Sequence, residues 1–561
     1  MNRRAPTKWQ WVLVIGILAF FALFLFYPLA YVFKKGLWPE GAFTLTFVET
    51  VLSNPTIRQS LFNSLTLATV TTCATFVFCL PLALVASRRS FRGQNLLAGL
   101  LLLPLVLPPF VGAIGMKQLL ARFGSINLLM MDIGLMDHPV DWLGKARFWG
   151  VVILQVLHLY PIMYLNLVAS LSGVDPSLEE AATNMGSSNL TVFRRVTLPL
   201  AAPGVFAGGV IVFIWALTDL GTPLVFEYSE VLSVQIFSRV TDMEDNPEGY
   251  ALVLWVLMMT AGGFIAARWA FSRKRNTAAG KGGLSVKRPH LAGWPLLATY
   301  ALFAGVILIS ALPHLAVVLT SLREEWFLTV LPGSLTTQHY ESALAHPLTL
   351  SSVRNSLFLA AGATALDAVL GVAIAYVLAR VKLRGAALLD AVTMLPLALP
   401  GIVVAFGFMG AFGGTFIDPR KDPTLLLVVA YAVRRLPYMV RSAYAGFSQV
   451  DENLEEASWN LGASSMRTLF RITLPLVAVS ILAGGILAFA FAMLEVSDSL
   501  ILALRENHYP ITKAIYMLLG RLRDGPELAC ALGVWSMMFL GCALLTAHRI
   551  LGKKMGDLFK A

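Results

Sequence analysis

Among the ionisable side chains inside or at the ends of long apolar runs of this 561-residue chain are His158, Asp219, Arg434, Arg435, Glu495 and Asp498. Charge in an apolar run is costly unless it faces a cavity or a partner, so each residue marks either a polar path or an ion pair. None is arranged for covalent or metal chemistry. The chain has no G-x-x-x-x-G-K-[ST] loop to cradle nucleotide phosphates, no H-E-x-x-H and no nucleophile elbow. Cys73, Cys79, Cys530 and Cys542 lack metal-ligand spacing and read as small residues of apolar spans. His339 and His346 have no supporting ligands, so no metal site is expected there. No cofactor is expected in this chain.

A second set of polar residues is doubled. Glu179-Glu180-Ala181-Ala182 is followed by Gly186 and then by Val196-Thr197-Leu198-Pro199. Glu455-Glu456-Ala457-Ser458 is followed by Gly462 and then by Ile472-Thr473-Leu474-Pro475. In both copies three residues precede the glycine and nine follow it before the aliphatic residue. Glu and Ala favour helix, acids suit its first turn, and the glycine ends it. Ser188 and Ser464 are placed to cap a second short helix. Leu178, Ala181 and Met185, like Leu454, Ala457 and Leu461, recur at helical spacing. Each copy is therefore an amphipathic knob whose small residues let a partner approach closely. The competing reading is a helix lying on lipid. A second copy at matched spacing favours the partner.

The elements that must hold these residues are membrane helices. The chain is 57% hydrophobic and 13% charged, about half the charge of an ordinary soluble protein. Its mean hydropathy is +0.72. Apolar runs long enough to span a bilayer fall near 9–32, 61–86, 95–118, 149–172, 202–224 and 249–270, then near 294–319, 353–380, 386–411, 424–447, 477–499 and 526–548. Lipid cannot satisfy backbone polar groups, so each is expected to be a helix. The first follows Arg3, Arg4 and Lys8 and is too long for a signal-peptide core, so it reads as a retained helix. The net charge of +11 does not point to nucleic acid, because the basic residues sit in short clusters between spans. Arg88, Arg89 and Arg92, the run from Arg273 to Arg288, Arg380, Lys382 and Arg384, and Arg549, Lys553 and Lys554 all fall on one side. The segment 225–248 on the other side carries Glu227, Glu230, Asp242, Glu244, Asp245 and Glu248 against Arg239. This is the positive-inside pattern, with both termini cytoplasmic; Lys34, Lys35 and Lys117 are exceptions.

The two halves are copies. Asn63-Ser64-Leu65 recurs as Asn355-Ser356-Leu357, Arg92-Gly93 as Arg384-Gly385, and Pro104, Pro108 and Gly115 as Pro396, Pro400 and Gly407, all offset by 292 (63 to 355). Glu180, Gly186 and Pro199 recur as Glu456, Gly462 and Pro475, offset by 276 (180 to 456). Apolar composition alone does not fix such spacings. The expected organisation is a first half 1–271 with its core near 60–270, a cytoplasmic linker 272–293 rich in Gly, Lys and Arg, and a second half 294–561 with its core near 350–548. Parallel repeats place a site or pathway where the halves meet.

The doubled pattern E-A-A, three residues, G, nine residues, I-x-L-P resembles the cytoplasmic signature of permease subunits of binding-protein-dependent ABC importers. The resemblance extends over about 60–270 and 350–548, and Ser458 departs from the usual Ala. It implies an all-α integral membrane protein of about twelve helices in two homologous six-helix halves with the MetI-like permease fold. It assigns Glu180, Ala181, Ala182, Gly186, Leu198 and Pro199, with Glu456, Ala457, Ser458, Gly462, Leu474 and Pro475, to loops that dock on a cytoplasmic ATPase. Two ATPase subunits, which bind the ATP and Mg, and a periplasmic or lipid-anchored solute-binding protein are the implied partners, in a bacterial inner membrane. The fused halves and the segment Arg434 to Arg441 resemble permeases for ferric iron, thiamine and 2-aminoethylphosphonate, with ferric iron first.

Two readings stand for the charges within the spans. His158, Asp219, Arg434, Arg435, Glu495 and Asp498 either line a polar path or form ion pairs that fix helix contacts, for example Arg434 with Glu495. Pro108, Pro109, Pro400 and Gly401 are expected to break or kink the third and ninth helices. The competing class is a secondary transporter with parallel repeats. Its coupling carboxylate would be Asp367 or Asp390, and neither recurs in the other half.

Overall fold

A computed structural model of the protein describes residues 7–39, 41–106, 108–143, 147–240, 247–272, 289–381 and 383–551. Most of the linker 272–293 lies outside the described residues, as do Lys382, Asp242, Glu244, Asp245, Lys553 and Lys554. Among the described residues nine helices are long and apolar enough to cross a membrane, and two bent pairs raise the number to eleven. A further helix, Thr424–Gln449, is 26 residues long but carries Arg434, Arg435 and Arg441, so hydropathy alone does not mark it. The named strands are one short hairpin, Arg323–Glu325 with Ser334–Leu335.

The bent pairs follow from proline. Ala386–Ala398 and Gly401–Phe412 meet at 99°. Leu399 precedes Pro400 and is extended, as the proline ring requires, and the Pro400 carbonyl then accepts from Val403 N at 3.0 Å to start the next helix. The first repeat bends by 88° between Gln94–Leu105 and Pro109–Asp132.

The chain forms two compact units that do not follow the order of the halves. One comprises 1–53, 236–255 and 340–558; the other comprises 54–235 and 256–339. In the first unit the N-terminal helix packs on helices of the second repeat. Gln10 Nε2 donates to Tyr376 Oη at 2.9 Å, Trp9 stacks on Tyr376 with ring centroids 5.6 Å apart, and Phe21 and Leu25 are buried. In the second unit Trp294–Leu322 packs on helices of the first repeat. Tyr300 Oη donates to Arg92 O at 2.8 Å, and Phe303 meets Phe91 edge to face at 5.5 Å. The recurring glycines explain both contacts. A Cβ on Gly115 would collide with the Pro313 carbonyl, and one on Gly407 would lie 3.2 Å from the Pro28 carbonyl. Small residues let helix backbones approach in lipid, where apolar surface gives no drive of its own.

Candidate functional site

The doubled knobs fold alike. Pro176–Asn184 and Glu452–Asn460 are nine-residue helices, capped by Asp175, which accepts from Ser177 N at 2.9 Å, and Asp451, which accepts from Asn453 N at 3.0 Å. The Ser177 amide holds the Asp175 carboxyl below its usual range. Gly186 and Gly462 end these helices at φ +84° and +86°, a left-handed conformation that a Cβ penalises. Ser188 then accepts from Thr191 N at 3.4 Å and Ser464 from Arg467 N at 3.3 Å, opening the second short helix. Leu178, Glu180, Ala181, Met185 and Gly186 are exposed, as are Leu454, Glu456, Ala457, Leu461 and Gly462. Met185 is 81% exposed and Leu461 89%, so each knob presents a bare apolar tip. Leu198, Pro199 and Leu474 are half-buried at the base, and Pro475 is exposed. Ala182 is buried, whereas Ser458 shares a hydrogen bond with Thr468 Oγ1 at 2.9 Å. The residue matching Thr468 in the first copy is the buried Val192, so the polar pair replaces an apolar one.

What anchors each knob is the neighbour of the glutamate singled out from sequence. Arg88 Nη2 donates to Glu179 Oε1 at 2.6 Å, and Thr197 Oγ1 donates to the same oxygen at 2.6 Å. Arg380 Nε donates to both Glu455 oxygens at 3.1 Å, and Thr473 Oγ1 donates to Glu455 Oε1 at 3.0 Å. Arg380 also reaches Phe447 O at 2.9 Å and Val450 O at 3.1 Å, while Arg88 reaches Val174 O at 3.2 Å. An arginine at the end of the long helix Pro55–Arg88 or Pro347–Arg380 thus ties its knob to a transmembrane element. The signal was present in the sequence: arginine, glutamate and threonine recur at the two repeat offsets.

Within the span region of the first unit, Arg434, Arg435, Glu495 and Asp498 form one ion-paired cluster. Arg434 Nη1 lies 2.6 Å from Glu495 Oε1 and 3.4 Å from Asp498 Oδ2. Arg435 bonds the other Glu495 oxygen and donates to Phe491 O at 2.8 Å. Glu495 is 5% exposed and Asp498 is fully buried. In the second unit the equivalent positions hold no ion pair among the described residues. Asp219 Oδ2 accepts from Gln155 Nε2 at 3.2 Å and Oδ1 from Thr222 N at 3.3 Å, while His158 keeps a buried Nδ1 without a side-chain partner. No group of three or more His, Cys, Asp or Glu side chains able to hold a metal occurs among the described residues.

Repeated membrane units, each tied by a half-buried arginine to an exposed knob, fit the membrane subunit of a transporter. Residues 79–274 and 368–555 each match the family described as binding-protein-dependent transport system inner membrane component, and the chain belongs to that family. It is the permease of a binding-protein-dependent ABC importer, a multi-pass inner-membrane protein. A similar protein is the ferric transport system permease protein FbpB of Actinobacillus pleuropneumoniae, 28% identical over 94% of this chain and 76% of that one. Another is the putative ferric transport system permease protein FbpB 1 of Haemophilus influenzae, 28% identical over 91% and 80%. The molybdate/tungstate transport system permease protein WtpB of Pyrococcus furiosus is 36% identical over 32% of this chain and 68% of its own length.

Proposed function

We propose that this permease carries ferric iron, delivered by a binding protein, and that two cytoplasmic ATPase subunits drive it by docking on the knobs Pro176–Asn184 and Glu452–Asn460. Two observations support this reading: the doubled, outward-facing apolar tips Met185 and Leu461, and ferric permeases as relatives along most of the chain. Each knob is a lever. ATP-driven closure of the ATPases moves the tips, and the Arg88–Glu179 and Arg380–Glu455 bonds pass that motion to the long helices. A ligand shifts such an equilibrium only through contacts that differ between states, and the nucleotide state supplies them from the partner. In this orientation the knobs and both termini are cytoplasmic. Transport of 2-aminoethylphosphonate or thiamine by the same route is the alternative. A secondary transporter is the less supported class: Asp390 is held by Arg441 at 3.2 Å, and Asp367, buried with both oxygens unpartnered among the described residues, has no carboxylate counterpart in the other repeat.

The test is Gly186→Val and Gly462→Val. Nothing lies within 4 Å of a Cβ at either site, so the substitution acts through its left-handed backbone, at a cost of about 1–2 kcal/mol, and not through a clash. Solute-stimulated ATP hydrolysis should be abolished with membrane insertion intact. Normal stimulation in both variants removes the docking assignment. Uptake of iron, thiamine and 2-aminoethylphosphonate, compared with and without this chain, tests the solute.

A further inference from the structure

Past Glu495 the repeats keep matching hydrogen bonds at a third offset, 279 (232 to 511). Ser64 Oγ accepts from Leu232 N at 2.8 Å, and Ser356 Oγ accepts from Ile511 N at 2.8 Å. Ser233 Oγ donates to Asp219 O at 2.8 Å, and Thr512 Oγ1 donates to Glu495 O at 2.7 Å. Asn63 Nδ2 donates to Glu230 O at 3.0 Å, and Asn355 Nδ2 donates to Tyr509 O at 3.2 Å. This register makes Phe237 equivalent to Tyr516, and Val234 equivalent to Lys513.

Phe237 and Tyr516 touch edge to face, with centroids 6.2 Å apart and planes at 88°. A residue of the first repeat thus touches its own equivalent in the second within one compact unit, and substrate sites of parallel-repeat transporters lie where the repeats meet. The contact lies beyond the far ends of Ala202–Thr218 and Leu474–Met493, away from the knobs.

Lys513 lies one helical turn before Tyr516 on Ile511–Leu519 and is 7% exposed. Its ammonium donates to Leu500 O at 2.8 Å and stands 5.7 Å from the Phe237 ring and 5.6 Å from the Tyr509 ring. It makes no ion pair among the described residues. Ring faces favour the charged ammonium, but they use none of its hydrogen-bonding capacity, and one carbonyl uses only one of three donors. The nearby acids already face cations: Arg434 and Arg435 pair with Glu495, and Arg434 also reaches Asp498. Among the described residues the other Asp498 oxygen is buried without a partner, and no three-ligand metal cluster occurs.

We propose that Lys513 is an anion-recognition residue of the translocation route: an oxyanion group of the solute, or of the ligand shell around it, meets this ammonium when Phe237 and Tyr516 part. The proposal rests on the importer reading and narrows it. Ferric iron then crosses bound to an anionic ligand, or the solute is a phosphonate, and thiamine, a cation, is excluded.

The experiment uses the whole system in cells, with this chain, its ATPase and its binding protein, and the probes ferric citrate, 2-aminoethylphosphonate and thiamine. Membrane abundance of each variant is measured alongside uptake. Lys513→Met should lower chain-dependent uptake of ferric citrate or the phosphonate about tenfold, the change that 1.4 kcal/mol makes, while Lys513→Arg stays within about threefold of wild type. A merely structural lysine would not be rescued by Arg at equal abundance; Lys513→Gln, a neutral variant that keeps hydrogen-bonding capacity, is the second variant and should lose uptake as Met does. Undiminished uptake in both neutral variants overturns the proposal. Chain-dependent uptake of thiamine alone overturns it while leaving the importer reading intact. Failure of all three solutes to stimulate ATP hydrolysis in the wild-type complex overturns the solute reading on which the proposal rests, and the proposal with it, and leaves the family assignment standing.

Discussion

Arg88, Glu179 and Thr197 stand to one another as Arg380, Glu455 and Thr473 do, yet the polar residues deeper in the same helices have diverged almost completely. Where one repeat holds Gln155, His158, Asp219 and Thr222, the other holds Tyr431, Arg434, Glu495 and Asp498. The knobs meet partners of one kind, so both copies keep one geometry. The membrane interior has no such external template. There a set of groups survives when its charges find partners within it, whether amide and backbone donors as around Asp219 or ion pairs as around Glu495. Shared geometry therefore marks where the halves act as equals, and unshared chemistry marks where they do different things.

Neutralising the centre of each polar set should break this comparison most sharply. Glu495→Gln leaves Arg434 and Arg435 without their shared counter-charge in a buried site, a loss of about 3–5 kcal/mol. Asp219→Asn removes no ion pair and alters only the hydrogen bonds from Gln155 and Thr222, worth about 1 kcal/mol each. The first variant should fail to accumulate or unfold at much lower temperature; the second should behave nearly as wild type. Equal effects in thermal unfolding of the purified complexes would show that the two sets are not physically different.

The knob anchors differ in degree. Arg380 and Glu455 side chains are 8% and 4% exposed, against 20% and 22% for Arg88 and Glu179. Arg380→Met should therefore cost several times more stability than Arg88→Met, whose pair is screened by solvent and worth about 1 kcal/mol. Both should weaken solute-stimulated ATP hydrolysis, because both detach a knob from its helix. A larger loss of stimulation in Arg88→Met would assign the first knob the greater share of coupling.

Much of this was legible in the sequence, and the gaps have physical causes. Spacing alone exposed the repeat and the knobs, because Glu, Gly and Pro at fixed intervals cannot arise from apolar composition. Pro108 and Pro400 announced the bends. Spacing did not show that Glu179 and Glu455, and not Glu180 and Glu456, face inward: neighbours on a helix point about 100° apart, and only contact with Arg88 or Arg380 chooses between them. Nor did it show that the helix Lys8–Leu37 joins the second repeat's unit while Trp294–Leu322 joins the first's, since sequence order says nothing about which helix neighbours which. The Lys513 site was hidden because the register shifts by three residues after Glu495, and only matching hydrogen bonds reveal it.

The smallest effect concerns a charge that breaks the positive-inside pattern. Lys117 lies among apolar residues of Pro109–Leu120, and its counterpart by the 292 offset is the buried Met409. The structure supplies its counter-ion: Lys117 Nζ lies 2.6 Å from Glu227 Oε1, and Arg147 lies 3.7 Å from the other oxygen. The hydrogen bond and charge of Lys117 hold the Glu227 carboxyl below its usual range. The Glu227 side chain is 63% exposed, so Glu227→Gln should cost no more than about 1 kcal/mol, less in high salt. The sign with pH follows from the lowered carboxyl. Its contribution is present above the unfolded value of about 4.3 and is lost as pH falls through the lower folded value. Thermal unfolding of wild type and Glu227→Gln should therefore differ slightly at pH 7 and converge in acid. A difference that persists unchanged in acid strong enough to protonate the wild-type carboxyl would mean that Glu227 acts through contacts other than its charge.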